Sequence, residues 1–370
     1  MHPKIQTNDM SNSFLPSKAR YEILDGLRGV AAIMVLLYHI CETHWGQTTQ
    51  PVAHGYLAVD FFFMLSGFVI GYAYDDRWSQ GLSLKEFLKR RIVRLHPMVV
   101  LSAMINLACM CFLVGGVIFP ETSMGDVLLA WLLSMLMIPG FGGQMFLISG
   151  TQWTLFYEYL ANLLYATVIR RLANNVLYPL VAIFGIWMLV YLTAYPGSGG
   201  VMAGGWECNA PNILRAFTRL LFPFFGGLAL FRINKLICVK RGFLWASLLV
   251  MAVLLFPHLE GSFWVNGLYE ALVIALIFPL IINIGAGSPL SGKRATRICT
   301  FLGEISFPLY ISHYGYMFLY MQYVFGNDYT FEQSWPVAML VFVGSLLTAY
   351  LSLKLYDLPV RKWLRQHWLQ

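Results

Sequence analysis

The sequence predicts an all-α, polytopic membrane protein of about ten transmembrane helices, with a re-entrant or interfacial segment at 125–139. Composition is the first observation behind that reading. Of 370 residues, 58% are hydrophobic and only 12% charged. A soluble domain carries about 25% charged residues, so too little polar surface is left here to coat a globule in water. Second, the apolar residues fall in runs of about 20, the length at which a helix crosses the hydrocarbon core. Third, Lys and Arg gather on alternate connecting segments, as in a chain threaded back and forth with its basic loops inside. The formal net charge of +7 therefore bears on orientation and on membrane lipid, and no nucleic-acid partner is expected.

Residues 1–22 are polar and form an expected cytoplasmic tail. No small-residue cleavage pattern follows the first apolar run, so 23–42 reads as a retained helix rather than a signal peptide. Further spans are expected at 56–74, 97–119, 152–169, 176–195, 213–231, 242–257, 264–284, 300–325 and 335–356. The short run 125–139 ends in Pro139–Gly140, and whether it crosses decides the side of every later loop. If it does not cross, the outer loops 43–55, 120–151, 196–212, 258–263 and 326–334 hold no Lys or Arg. Crossing would carry Arg170 and Arg171 outside, so both termini are placed in the cytoplasm and 125–139 stays uncrossed. Its neighbours Gly140, Gly142 and Gly143 suit a lid over an acceptor. In Leu82–Leu95 the apolar Leu84, Phe87, Leu88, Ile92 and Leu95 recur at helical spacing opposite a basic face, which predicts an amphipathic helix on the inner surface. One membrane domain at 23–361 and a cytoplasmic tail at 362–370 complete the expected organisation. No loop is long enough to hold a soluble catalytic domain, so chemistry must sit in or beside the membrane.

Ionisable side chains inside apolar spans are costly and mark functional sites. Arg28 and His39 share the first span; on a helix their spacing returns to within about 20° of one face and sets them about 16 Å apart along the axis. Arginine suits phosphate because its planar fork binds oxygens in pairs and keeps its charge. Histidine suits proton abstraction because it titrates near neutrality. An extended anion entering from the cytoplasm would be held at Arg28 and present its far end at His39. The same positions also suit a plainer arrangement, with Arg28 snorkelling to the interface and His39 bonding a neighbouring helix. Asp60 and Glu158 sit near the depth of His39, where either would orient its ring. Asp60 also suits the N-cap of the helix beginning at Phe61, whereas Glu158 needs a partner such as His39, Arg215 or Arg219. Arg215 and Arg219, four residues apart, require an anion or a carboxylate, with Glu270 the expected one. His313 reads as a hydrogen-bonded packing residue. No metal is expected: the six cysteines form no C-x-x-C, and the histidines no helical H-x-x-x-H. A secondary transporter or exporter of an anionic solute or acylated small molecule would use the same spans, buried charges and basic inner mouth.

Motifs sharpen the choice. Leu24–Asp25–Gly26–Leu27–Arg28–Gly29 leads to His39 as Arg-x10-His, and Val59–Asp60–Phe61–Phe62–Phe63–Met64–Leu65–Ser66–Gly67–Phe68 follows. Then come Arg91–Ile92–Val93–Arg94–Leu95–His96–Pro97, and Gln152–Trp153–Thr154–Leu155 through Glu158. Ile305–Ser306–Phe307–Pro308–Leu309–Tyr310 through His313, and Tyr356–Asp357–Leu358–Pro359–Val360–Arg361, close the series. These six motifs, in order over about 23–361, resemble the acyltransferase-3 family of polytopic sugar O-acyltransferases. The resemblance implies transfer of an acyl group, usually acetyl, from cytoplasmic acyl-CoA to a hydroxyl of a surface glycan or lipid-linked glycan at the outer face. It makes His39 the catalytic base, with Arg28, Arg91 and Arg94 binding the donor. Glu158 or Asp60 would orient His39, and Trp153, Arg215, Arg219 or His313 would serve the acceptor or the oxyanion. Some members carry an added esterase-like domain; this chain ends near the final motif, so it is expected to act alone or pass its acyl group to a separate soluble protein.

Overall fold

The computed structural model describes residues 18, 20–140, 143–259, 261–290 and 292–369. Most of the 1–22 tail, and Gly142 of the expected lid, lie outside them. In chain order the helices are α1 (Glu22–Trp45), α2 (Ala58–Tyr74), α3 (Leu84–Met110), α4 (Met124–Met135), α5 (Gln152–Thr167), α6 (Asn174–Ala194) and α7 (Ala210–Ile233). There follow α8 (Gly242–Leu254), α9 (Phe263–Leu272), α10 (Phe278–Gly287), α11 (Lys293–Ser312), α12 (Tyr314–Asn327), α13 (Phe331–Leu351) and α14 (Leu358–Trp368). Among the described residues there is no β-strand, only the isolated bridges Val114–Phe119 and Gln144–Glu207.

Among the described residues, seven helical stretches are long and apolar enough to cross a membrane, so the chain is a multi-pass membrane protein. Two of them run on through π-helical turns: Val273–Ile277 joins α9 to α10, and Ser352–Asp357 joins α13 to α14. The other expected spans fall on α5, on α8 and on the α11–α12 pair, which breaks at His313. The 125–139 run carries α4, a 12-residue helix about 18 Å long, shorter than the roughly 20 residues of a spanning helix.

The basic segment before the third span differs from expectation. Leu82–Leu95 is not a separate surface helix but the head of α3, which continues through Pro97 to Met110. Ser83 starts it: its hydroxyl accepts from the Glu86 N–H at 3.2 Å, and the Glu86 carboxylate accepts from the Ser83 N–H at 3.2 Å. Proline breaks such a helix less within a membrane bundle, where neighbours satisfy the freed carbonyl. Lys85 stays exposed, whereas Arg91, one turn after the buried Phe87, is buried.

Small residues set the two tightest helix pairings. A side chain at Gly67 of α2 would overlap the Phe224 carbonyl of α7, and one at Gly227 of α7 would overlap the Met64 carbonyl of α2. Close backbone approach of this kind is how membrane helices gain packing without a hydrophobic drive between them. Gly26 and Gly29 do the same for α1 against Cys299 and Leu302 of α11. With the glycine face of α1 on α11, Arg28 is left facing a cavity.

Candidate functional site

A cavity of about 1170 Å³ opens between α1, α2, α3, α5, α11 and α14. Nine Lys and Arg line it against four Asp and Glu, which gives it a strongly positive interior. Arg28, Arg91 and Arg94, distant in sequence, all reach it. Arg28 lies 3.4 Å from Asp25, one turn earlier on α1. Arg91 donates to Glu158 Oε1 at 2.8 Å, and Ser66 Oγ donates to the same oxygen at 3.2 Å. Glu158 thus finds its partner in Arg91 rather than in His39, Arg215 or Arg219, because the inward turn of α3 brings the guanidinium to it. Arg94 is exposed to the cavity and makes no ion pair among the described residues.

His39 lines a second, smaller cavity of about 90 Å³. Its Nδ1 lies 2.8 Å from Glu42 Oε2, one turn further along α1. A carboxylate only accepts, so Nδ1 carries the proton and Nε2 is the basic nitrogen. No hydrogen bond is made to Nε2 among the described residues. Tyr38 and Tyr314 meet the His39 ring edge-on at 5.0 Å each, and the His313 ring lies 5.5 Å away, which fixes the ring plane. Val59 and Tyr310 line both cavities, so the two cavities adjoin at these residues. Tyr310 is held there by a 2.9 Å hydrogen bond between its hydroxyl and Thr154 Oγ1.

Arg219 and Trp153 also border the small cavity, with the guanidinium 5.3 Å from the indole centroid. Arg219 Nη2 pairs with Asp60 Oδ2 at 2.8 Å and donates to the Tyr56 carbonyl at 2.6 Å; Nη1 donates to the Gly204 carbonyl at 3.0 Å and Nε to Asp60 Oδ1 at 3.3 Å. Of five guanidinium N–H groups, those bonds leave one for a ligand. Asp60 is not an N-cap but a fully buried counter-ion inside α2, since that helix starts at Ala58. Glu270, expected beside the arginines, instead accepts from Tyr56 Oη at 2.6 Å and from the Met202 N–H at 2.6 Å. Arg215 lines neither cavity; it bonds Tyr191 Oη at 3.0 Å and the carbonyls of Ala203 and Ser198, tying down the loop before α7. His313 is fully buried behind His39, with Nδ1 2.9 Å from the Leu309 carbonyl and Nε2 unbonded. Glu42 and Tyr310 were not among the expected site residues. The i, i+3 spacing of His39 and Glu42 was the available signal for the first. No group of three or more His, Cys, Asp or Glu among the described residues could hold a metal.

The apolar helices thus hold a cationic cavity bordered by Arg28 of α1 and a second cavity bordered by His39 further along the same helix. The family model described as "Acyltransferase domain" matches residues 21–354, and the chain belongs to this acyltransferase-3 family. It is similar to the Rhizobium radiobacter "Protein 2 in picA locus", 36% identical over 160 residues, which cover 40% of this chain and 81% of that protein. It is also similar to O-acetyltransferase OatA of Staphylococcus aureus (strain NCTC 8325 / PS 47), 26% identical over 367 residues, 92% of this chain and 57% of the relative. Peptidoglycan O-acetyltransferase OatA of Listeria monocytogenes is 36% identical over 96 residues, 25% of this chain and 13% of that protein. The chain thus spans little more than half the length of the Staphylococcus relative. No solved structure matches.

Proposed function

We propose that this protein is a transmembrane O-acyltransferase. It moves an acyl group from acyl-CoA in the cationic cavity to a hydroxyl of a glycan or glycolipid at the His39 end. One observation carries the reading: the cavity lined by Arg28, Arg91 and Arg94 and the cavity lined by His39 adjoin at Val59 and Tyr310, which line both. A donor phosphate group at Arg91 and Arg94, with its arm passing Arg28, directs the thioester at those two residues. Charge placement supports a cytoplasmic donor side, because the outer loops lack Lys and Arg. The domain assignment that goes with this is a membrane catalytic unit over 23–361 with both termini cytoplasmic.

His39 Nε2 takes the proton of the acceptor hydroxyl as its oxygen attacks the thioester carbonyl. Glu42, bonded to Nδ1, orients the ring and stabilises the imidazolium that forms. The oxyanion takes a hydrogen bond from Trp153 Nε1–H or the remaining Arg219 N–H. When the tetrahedral centre collapses, the C–S bond breaks, the ester is released and His39 returns the proton to the thiolate. No net proton or electron is left over.

Purified protein given labelled acetyl-CoA and a peptidoglycan fragment or polysaccharide should yield a labelled, base-labile ester. Solute flux across vesicles with no thioester consumed in the presence of any acceptor would assign the chain to the transporters instead.

A further inference from the structure

Helix α14 forms one wall of the cationic cavity. Its residues there are Leu358, Arg361, Lys362, Arg365 and Gln366. They recur at i, i+3, i+4, i+7 and i+8, which is one face of an α-helix. Trp363 lies off that face and is exposed, as suits a helix resting at a membrane interface. Two attachments hold it in place. The π-helical turn Ser352–Asp357 joins it to α13, and Lys89 near the start of α3 donates to the Trp368 carbonyl at 2.9 Å with its ammonium 5.3 Å from the Trp368 ring.

The cavity's carboxylates are already engaged: Asp25 with Arg28, Glu158 with Arg91, Glu304 with Lys354 and Asp357 with Arg361. Lys362 and Arg365 make no ion pair or hydrogen bond among the described residues, and both are exposed at the cavity's edge. Two cations without an ion-pair partner at the edge of a cavity already rich in Lys and Arg add to a positive field there, and that field selects an anion.

We infer that Lys362 and Arg365 on α14 are a phosphate subsite for the donor, binding the ribose 3′-phosphate of acyl-CoA. The inference rests on the acyl-CoA reading proposed above. In that molecule the 3′-phosphate sits on the nucleotide, at the opposite end from the thioester. With the thioester at Tyr310, the nucleotide falls at the exposed rim, where α14 lies. The Arg365 fork can hold two phosphate oxygens while Lys362 acts as a point charge.

The test compares kcat/KM for acetyl-CoA and for its 3′-dephospho form, using full-length wild type and the Lys362→Gln/Arg365→Gln double variant. Wild type should prefer the phosphorylated donor by about tenfold, and the double variant by no more than about twofold. Both side chains are exposed, so the substitutions leave the fold's packing untouched; Arg365→Lys serves as a charge-conserving check and should keep most of the preference. A preference unchanged in the double variant, or absent in wild type, overturns the subsite and leaves acyl-CoA as donor. Wild type that consumes no acyl-CoA with any acceptor overturns the donor reading itself, and the subsite with it.

Discussion

His39 and Glu42 form a dyad on one helical turn, and the account of catalysis stands on their difference in role. His39→Ala removes the base and should lower kcat by about 10²–10⁴-fold. Glu42→Gln keeps a hydrogen-bond partner but lets the amide donate to Nδ1, favouring the unproductive tautomer; a smaller loss, still about tenfold or more, is expected. Circular dichroism and thermal melting of both variants should match wild type, since neither residue belongs to a buried ion pair other than the dyad itself. Asp60 is a different case. Asp60→Asn leaves the Arg219 guanidinium fully buried without its counter-charge, and the expected cost is about 3–5 kcal/mol, read as a lower melting temperature in detergent. Replacing both partners by Leu and Met should recover most of that stability while leaving transfer impaired, because Arg219 also borders the small cavity. Arg28 and His39 were legible from spacing alone, since a shared helix face follows from residue number. The partners of Glu158, Asp60 and Glu270 were not, because each bond crosses between helices whose rotation no single-helix pattern fixes.

At the scale of elements, the long helices were readable from apolar length, and the short α4 from its brief apolar run ending in Pro139–Gly140. The inner half of α3 was not. Arg90, Arg91 and Arg94 followed by Pro97 look like a helix end at a membrane surface, and only the cationic cavity explains why such residues continue into the bundle. The residues after 361, expected as a tail from their run of charges, are helical to Trp368, and Lys362, Arg365 and Gln366 among them line that cavity. The glycines of α2 and α7 yield the sharpest prediction at this scale. Gly67→Ala or Gly227→Ala forces the two backbones apart and should destabilise by about 1–3 kcal/mol or more. Gly344→Ala on α13, where an added methyl meets nothing within 4 Å, should be neutral or slightly stabilising by about 0.5–1 kcal/mol. Equal melting shifts for all three would remove close α2–α7 approach as the reason for those glycines.

Over the whole molecule, the proposed function assigns donor and acceptor to opposite ends of the bundle. The cationic cavity lies where Lys and Arg are plentiful, and the His39 cavity is bordered by loops that have none. That division predicts sidedness. A cysteine placed at Gln47 should react with an impermeant reagent added outside intact cells, while one at Lys235 should react only after the membrane is opened. The low charged share is informative for the same reason: of the few ionisable groups inside the expected spans, Arg28, His39, Glu158 and Arg219 line the cavities. The most direct measurement is ester formation across a sealed bilayer. Protein oriented in liposomes, with labelled acetyl-CoA on the Arg28 side and glycan acceptor on the His39 side, should transfer label to the acceptor, and His39→Ala should not. Label reaching the acceptor equally well in His39→Ala, or only when donor and acceptor share the His39 side, would contradict transfer past Val59 and Tyr310 to a histidine base.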